Sequence, residues 1–366
     1  MTSFTRRNFL KTSIIGGFGA ACIRPVNVFY RSEIPESYTS KVALTTGRSR
    51  ADMAFRALCP FSKEISQSIG NRRVVLKPNI VNTEVQLAST HVDTLEGLLE
   101  FFKSIGKNEN VVIAESAANG PTFDGFKNFG YFRLTEKYGV KLIDLDQEPF
   151  DVIYAFDEKD FKPHAVRVSH LMLDPDSFIV SVARMKTHDR VFATLSLKNI
   201  VVGAPIKDRG FTFGPSSRQG AKTDKSLMHG SGFRGINYNL YSMSRQLHPH
   251  LAVIDGFEGM EGNGPNDGNP VDHKVCVASL DWLSADRVGI ELMGIDFATV
   301  GYLNFCSQTG IGTADLSKIQ IIGESINDHK KKYKLSDNFK DQLIWMNPVS
   351  QNVSEKTKSD FKLSYT

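Results

Sequence analysis

Phe178-Ile179-Val180-Ser181-Val182-Ala183-Arg184-Met185-Lys186-Thr187-His188 decides how the rest of the chain is read. Its first part, Phe178 to Ala183, is a short apolar run of the kind buried on both faces of a parallel sheet. Polar residues follow directly. After a second apolar run comes Leu197-Lys198-Asn199-Ile200-Val201-Val202-Gly203. Ligands of open α/β sheets bind past the carboxyl ends of the strands. Two lysines, a histidine and an asparagine delivered just beyond a strand therefore mark a candidate site.

Working outward, strand-like runs recur at Lys41–Thr46, Arg73–Lys77, Val111–Ala114 and Val140–Asp144. Helical stretches separate them. One runs from Gly47 to Ile69, one from His91 to Ile105 and one from Phe123 to Tyr138. In the second, Val92, Leu95, Leu98, Leu99 and Phe102 repeat at helical spacing. Strand and helix in alternation predict an α/β fold: a mainly parallel, Rossmann-like sheet with helices on both faces. Residues 147–170 break the pattern and read as an insertion or antiparallel excursion. Further strands are expected at Leu251–Ile254, turning at Asp255-Gly256, at Lys274–Ser279 and at Ile319–Gly323. Helices are expected from Asp281 to Met293 and from Phe297 to Ser307. Residues 203–235 hold seven glycines and read as a long Gly-rich basic loop, functional or mobile at that length. The expected organisation is an export signal (1–22), a linker (23–40), one α/β domain (41–325) and a polar C-terminal tail (326–366).

The 366 residues are 41% apolar and 23% charged, ordinary for a globular chain. The net charge is +4, and Arg6, Arg7 and Lys11 supply three of those charges. The remainder is nearly neutral, so no global field points to nucleic acid. The cysteines are Cys22, Cys59, Cys276 and Cys306, with no C-x-x-C pair. That spacing excludes an iron–sulfur or zinc site built from this chain's cysteines.

The paired arginines with Phe9-Leu10-Lys11, followed by a mild apolar stretch to Ile23, resemble a twin-arginine export signal. The expected location is exported, periplasmic or in the cell envelope, with the twin-arginine export machinery as a partner. Gly19-Ala20-Ala21-Cys22 resembles a loose lipobox. A lipid anchor on Cys22 is the one membrane contact expected.

Polar residues follow one strand run after another: Lys77-Pro78-Asn79, Glu115-Ser116, Lys186-Thr187-His188 and Asp255-Gly256. On a parallel sheet all four share an edge. Taken singly, such residues are ordinarily solvated lysines or turn formers; the recurrence is what points to a site. Lys186 and His188, two apart in extended backbone, point the same way. Lys186 and Lys198 suit a small anion, with Lys77, Asn79, Asn199 and His229 as further binding residues and His188 as acid or base. His229 lies among Arg209, Arg218, Lys222, Lys225 and Arg234, a basic flap over an anion. The run Asp255 to Pro265 alternates acids and glycines. Glu115, Asp255 and Glu261 are the candidate ligands of a divalent metal. Asp281 and Asp286 flank a helix start, where capping alone accounts for them.

Lys186-Thr187-His188, Ser196-Leu197-Lys198-Asn199 with Gly203, Asp255-Gly256 with Glu261–Pro265, and Asp281 to Gly294 together resemble one family. It is the uncharacterised family catalogued as domain of unknown function 362, and the resemblance covers roughly residues 40–325. Many of its members carry ferredoxin-type cysteine clusters. This chain lacks those cysteines, so no cysteine-ligated iron–sulfur cluster is expected. The resemblance implies that the shared Lys, His, Asn, Asp and Glu positions line one cleft. The readings left open are an enzyme acting on a small anion, an exported binding protein, and a redox or cofactor carrier without a cysteine-ligated cluster.

Overall fold

The computed structural model describes residues 40–347; the twin-arginine-like leader and Cys22 lie outside the described residues. Eight strands form one continuous path across the main sheet. They are β1 (Ser40–Thr46), β2 (Arg73–Lys77), β3 (Val111–Glu115), β4 (Lys141–Asp144), β7 (Ser177–His188), β9 (Leu251–Asn263), β10 (Asp267–Ser279) and β11 (Ile319–Gly323). Their order is β11-β1-β10-β9-β7-β2-β3-β4, and β8 (Phe192–Thr194) pairs with the end of β7. Neighbours along the path are parallel except where β10 lies between β1 and β9. The fold is α/β, with a mixed but mostly parallel sheet. β5 (Phe150–Asp157) and β6 (Lys162–Ser169) form a separate antiparallel pair, the excursion expected at 147–170.

Alternation along each strand sorts the apolar residues to two faces. Leu44, Val75, Ile179, Ile254 and Val277 enter one core; Ala43, Leu76, Val180, Val253 and Ala278 enter the other. Helices Arg50–Leu58, Ser62–Ile69 and Val92–Ser104 cover the second face. Helices Ser196–Val201, Phe233–Met243, Trp282–Leu292 and Gly301–Gln308 cover the first. Two covered faces explain why the strands read as continuous apolar runs.

Four expectations need correcting. The stretch Phe123 to Tyr138 is two helices, Thr122–Asn128 and Phe132–Tyr138, parted where Gly130 takes φ 74°. β7 does not end at Ala183 but runs on, buried, to His188. There is no turn at Gly256: β9 continues through it and forms a long hairpin with β10. The segment 203–235 is not one open loop, because it holds the short helix Lys225–Met228 and the start of Phe233–Met243, and it buries Lys207 and Lys225. Within the segment from 326 to 347, Tyr333 and Gln342 are buried.

Candidate functional site

With β2, β3, β4, β7 and β9 parallel, Lys77, Glu115, Asp144 and the end of β7 all leave the sheet at its carboxyl edge. β7 overshoots that edge. Lys77 lies opposite Ser181, so Arg184 to His188 extend beyond β2, and Lys186 to His188 pair back on β8 instead. The chain then enters helix Ser196–Val201, which carries Lys198 and Asn199 back over the edge. The start of this short helix is buried, and its N–H groups need a partner. Asp286, from helix Trp282–Leu292, supplies it: its carboxylate accepts Ser196 N at 2.7 Å and Leu197 N at 3.1 Å. Burial pushes this carboxyl up to about 7 against the pull of its donors. Asp281 caps its own helix, accepting from Leu283 N and Ser284 N.

An open cavity of about 520 Å³ lies against this edge, and Asn79, Glu115, His188, Lys198, Lys225 and His229 line it. Lys186, Lys77, Asn199, Asp255 and Glu261 are not on its wall. Lys77 and Asn199 lie just behind it. Lys77 Nζ bonds Glu115 Oε1 at 2.8 Å and the Pro78 carbonyl at 3.0 Å. Glu115 also accepts from Ile80 N and Ser116 N. Asn199 donates Nδ2 to the Lys77 carbonyl and to Ser181 Oγ, both at 3.1 Å, and accepts from Asn79 Nδ2 at 3.1 Å. Lys186 turns away to the Ala88 carbonyl, so it and His188 do not converge. Burial and the nearby Lys198 charge drive its ammonium well below the usual range.

Lys198 is 6% exposed, and among the described residues its ammonium has neither an ion pair nor a hydrogen bond. Burial brings its pKa down to about 8. Lys225 Nζ donates to the carbonyls of Gly203 (2.7 Å) and Pro205 (2.6 Å), and burial brings it to about 7. Burial and then the Lys198 charge hold both histidines neutral, His229 at about 4 and His188 lower than usual by a wide margin. Their tautomers differ. His229 Nδ1 faces the Lys225 carbonyl at 3.0 Å, so Nδ1 carries the proton and Nε2 keeps its lone pair. His188 Nδ1 accepts the Arg190 N–H at 3.0 Å, which leaves the proton on Nε2. The Asp189 carboxylate is 3.1 Å from that same Nδ1 and would pair with it only on protonation.

The three candidate metal ligands are not brought together. Glu115 is held by Lys77. Asp255 points to the opposite face of the sheet, where Arg50 Nε lies at 3.1 Å and Thr94 Oγ1 donates at 2.7 Å. Glu261 accepts from Lys334 N, six residues and about 20 Å of strand further along. Among the described residues no three His, Cys, Asp or Glu side chains form a group that could hold an ion. Of the basic stretch, Lys225 and His229 reach the cavity, whereas Arg218 Nε bonds the Arg209 carbonyl. Sequence reasoning missed Arg190, Thr194 and Asn266 on the wall, and also Asp286 and Gln342 behind it. No sequence signal linked the last two to residues so distant in the chain.

The family model described as Domain of unknown function (DUF362) matches residues 74–291, more than half of the chain. The chain belongs to the DUF362 family. The matched span runs from β2 to helix Trp282–Leu292 and so contains every residue of the cavity wall. β1, β11 and the C-terminal segment lie outside it. A thylakoid-associated protein of Synechocystis sp. is 22% identical over 230 residues, 62% of this chain. The match spans 65% of that protein's length, less than two thirds.

Proposed function

We propose that this DUF362 protein binds a small carboxylate- or phosphate-bearing molecule in the cavity and performs acid–base chemistry on it. The observation that carries the reading is Lys198: a buried ammonium on a cavity wall, with neither a hydrogen bond nor an ion pair among the described residues. Burying an unpaired charge is unfavourable, and a bound anion removes that penalty. Arg190 adds positive potential nearby; of the two acids on the same wall, Glu115 is committed to Lys77, and Asp189 lies beside Arg190 and His188, too far from Lys198 for an ion pair.

The two imidazoles suit proton transfer. Both are neutral at pH 7, one presenting a lone pair and the other an N–H to the cavity. A general base and a general acid therefore stand ready without either histidine having to change charge first. Lys198 orients the anion between them and stabilises negative charge that develops on it.

The leader supports export by the twin-arginine route, and an exported location belongs to the proposal. Among the described residues no helix is long and apolar enough to cross a membrane.

Thermal denaturation of the mature protein at pH 7, across a panel of carboxylates and phosphates, tests the binding. A ligand of the native state raises the melting temperature with concentration. The rise should be present in wild type and absent in Lys198→Met. No rise with any anion overturns the reading. Solvent deuterium exchange into the ligands that bind, followed by NMR, tests the chemistry: incorporation lost in His229→Gln supports it, and binding without incorporation rejects the catalytic part.

A further inference from the structure

Three residues of the cavity wall carry a buried oxygen with no hydrogen-bond partner among the described residues: Asn79 Oδ1, Thr194 Oγ1 and Asn266 Oδ1. Asn79 is 8% exposed and Thr194 2%. A threonine hydroxyl can donate or accept, but the Asn79 oxygen can only accept. Its orientation is not free. The Lys77 carbonyl accepts, so the Asn199 atom 3.1 Å from it must be the amide nitrogen. Ser181 agrees: it spends its single hydrogen on the Ser196 carbonyl at 2.9 Å and so accepts from Asn199. Asn199 therefore turns its oxygen toward Asn79, and Asn79 must answer with Nδ2. What remains unpaired at the wall is Asn79 Oδ1, an atom with almost no accessible surface of its own, so that only a closely fitted ligand group reaches it. The fixed chain of bonds starts at a backbone carbonyl and ends in an acceptor that no described residue satisfies.

The wall thus asks for two things at once. Lys198 and the His188 N–H want an acceptor with negative charge. Asn79 Oδ1 and the His229 lone pair want a donor. A simple anion answers only the first demand and leaves the Asn79 oxygen desolvated, which is unfavourable. The donor is better a hydroxyl than an ammonium, because Lys198 and Arg190 already place positive charge on the wall.

We infer that the ligand is a hydroxylated anion, a hydroxycarboxylate or a polyol phosphate, whose hydroxyl donates to Asn79 Oδ1 while its anionic group meets Lys198. This rests on the anion-site reading and narrows it to a substrate class.

Calorimetric titration of the full-length mature protein with matched pairs tests it: glycolate against acetate, and glycerol 3-phosphate against propyl phosphate. Each pair differs in hydroxylation and keeps its charged group. The hydroxylated member of at least one pair should bind wild type about tenfold tighter or more, the discrimination expected when a buried acceptor is otherwise left unpaired. In Asn79→Leu that ratio should fall to near one. A wild-type ratio near one in both pairs overturns the inference and leaves the anion site standing, and this holds whether or not Asn79→Leu folds. A ratio that survives intact in a folded Asn79→Leu also overturns it. Binding by neither member of either pair removes the anion site as well.

Discussion

Gln342 donates its amide nitrogen to the His188 carbonyl at 3.0 Å, and its own oxygen accepts the Phe192 N–H at 2.6 Å. A residue near the end of the described chain thus bridges both sides of the β7–β8 hairpin. Asn338 reinforces it through the Asp189 carbonyl at 2.8 Å. Gln342→Ala leaves two buried backbone groups unpaired, a loss of about 1–3 kcal/mol. The melting temperature should fall by several degrees, and the anion-induced rise should shrink because the turn that presents His188 and Arg190 loosens. Thermal denaturation with and without ligand measures both effects.

Anion affinity should fall as pH rises through about 8, where Lys198 loses its proton. The unliganded protein should respond in the opposite sense. The Lys198 pKa is depressed from 10.5 in the unfolded chain to about 8 in the folded one. Between those values the unfolded state holds the proton more tightly, so this group's contribution to stability improves as pH rises from about 8 to 10.5. Below pH 8 its full penalty applies. Lys198→Met should therefore raise the apo melting temperature at pH 7 and flatten its rise in that alkaline window.

Lys77 and Glu115 form an ion pair 2.8 Å long, with both side chains essentially inaccessible. Burial pulls the lysine down and pushes the acid up, and each holds the other ionised. Lys77→Met or Glu115→Gln alone leaves an unbalanced buried group, a loss of about 3–5 kcal/mol. The double substitution should lose clearly less than the sum, as read by chemical denaturation of all four proteins. Gly203→Ala should disturb the same pair, since a Cβ there would stand 2.6 Å from Lys77 Nζ and 2.1 Å from the Asn199 carbonyl oxygen.

Asp286 and Asp281 sit five positions apart but cap different helices. Asp286→Ala removes the acceptor at the start of the helix bearing Lys198 and Asn199, so it should destabilise by about 2 kcal/mol and also weaken anion binding. Asp281→Ala should lose about 1 kcal/mol with anion affinity retained. Denaturation and titration of the two variants separate a general loss of stability from a displaced site.

The strand–helix alternation from Lys41 to Asp144 was legible because β1, β2 and β3 are buried on two faces, with only the edge strand β4 partly exposed, and the crossover helices have apolar stripes. The β9–β10 hairpin was not. Gly256 read as a turn residue, yet it and Gly259 lie within a strand and serve close packing. A Cβ on Gly256 would be 2.7 Å from Val275, and one on Gly259 would be 2.1 Å from the Tyr333 hydroxyl. The same misreading made a cation loop of Asp255 and Glu261. At the site, strand ends pointed to the right edge, but not to the residues that face the cavity. Lys186 is two residues from His188 and still turns to Ala88, a carbonyl 98 positions away. The Asn79–Asn199 bond, between residues 120 apart, has no local signature.

Among the described strands β1 is the first made, and its sheet neighbours are β10 and β11, the last two. During synthesis it waits without an edge to join until Ser279 and then Gly323 have emerged. A truncated or nascent chain presents β1 with its hydrogen-bonding edges open and Val42 and Leu44 uncovered, an invitation to chaperones and to aggregation. The sheet therefore closes late, once Gly323 is available to pair with Leu44.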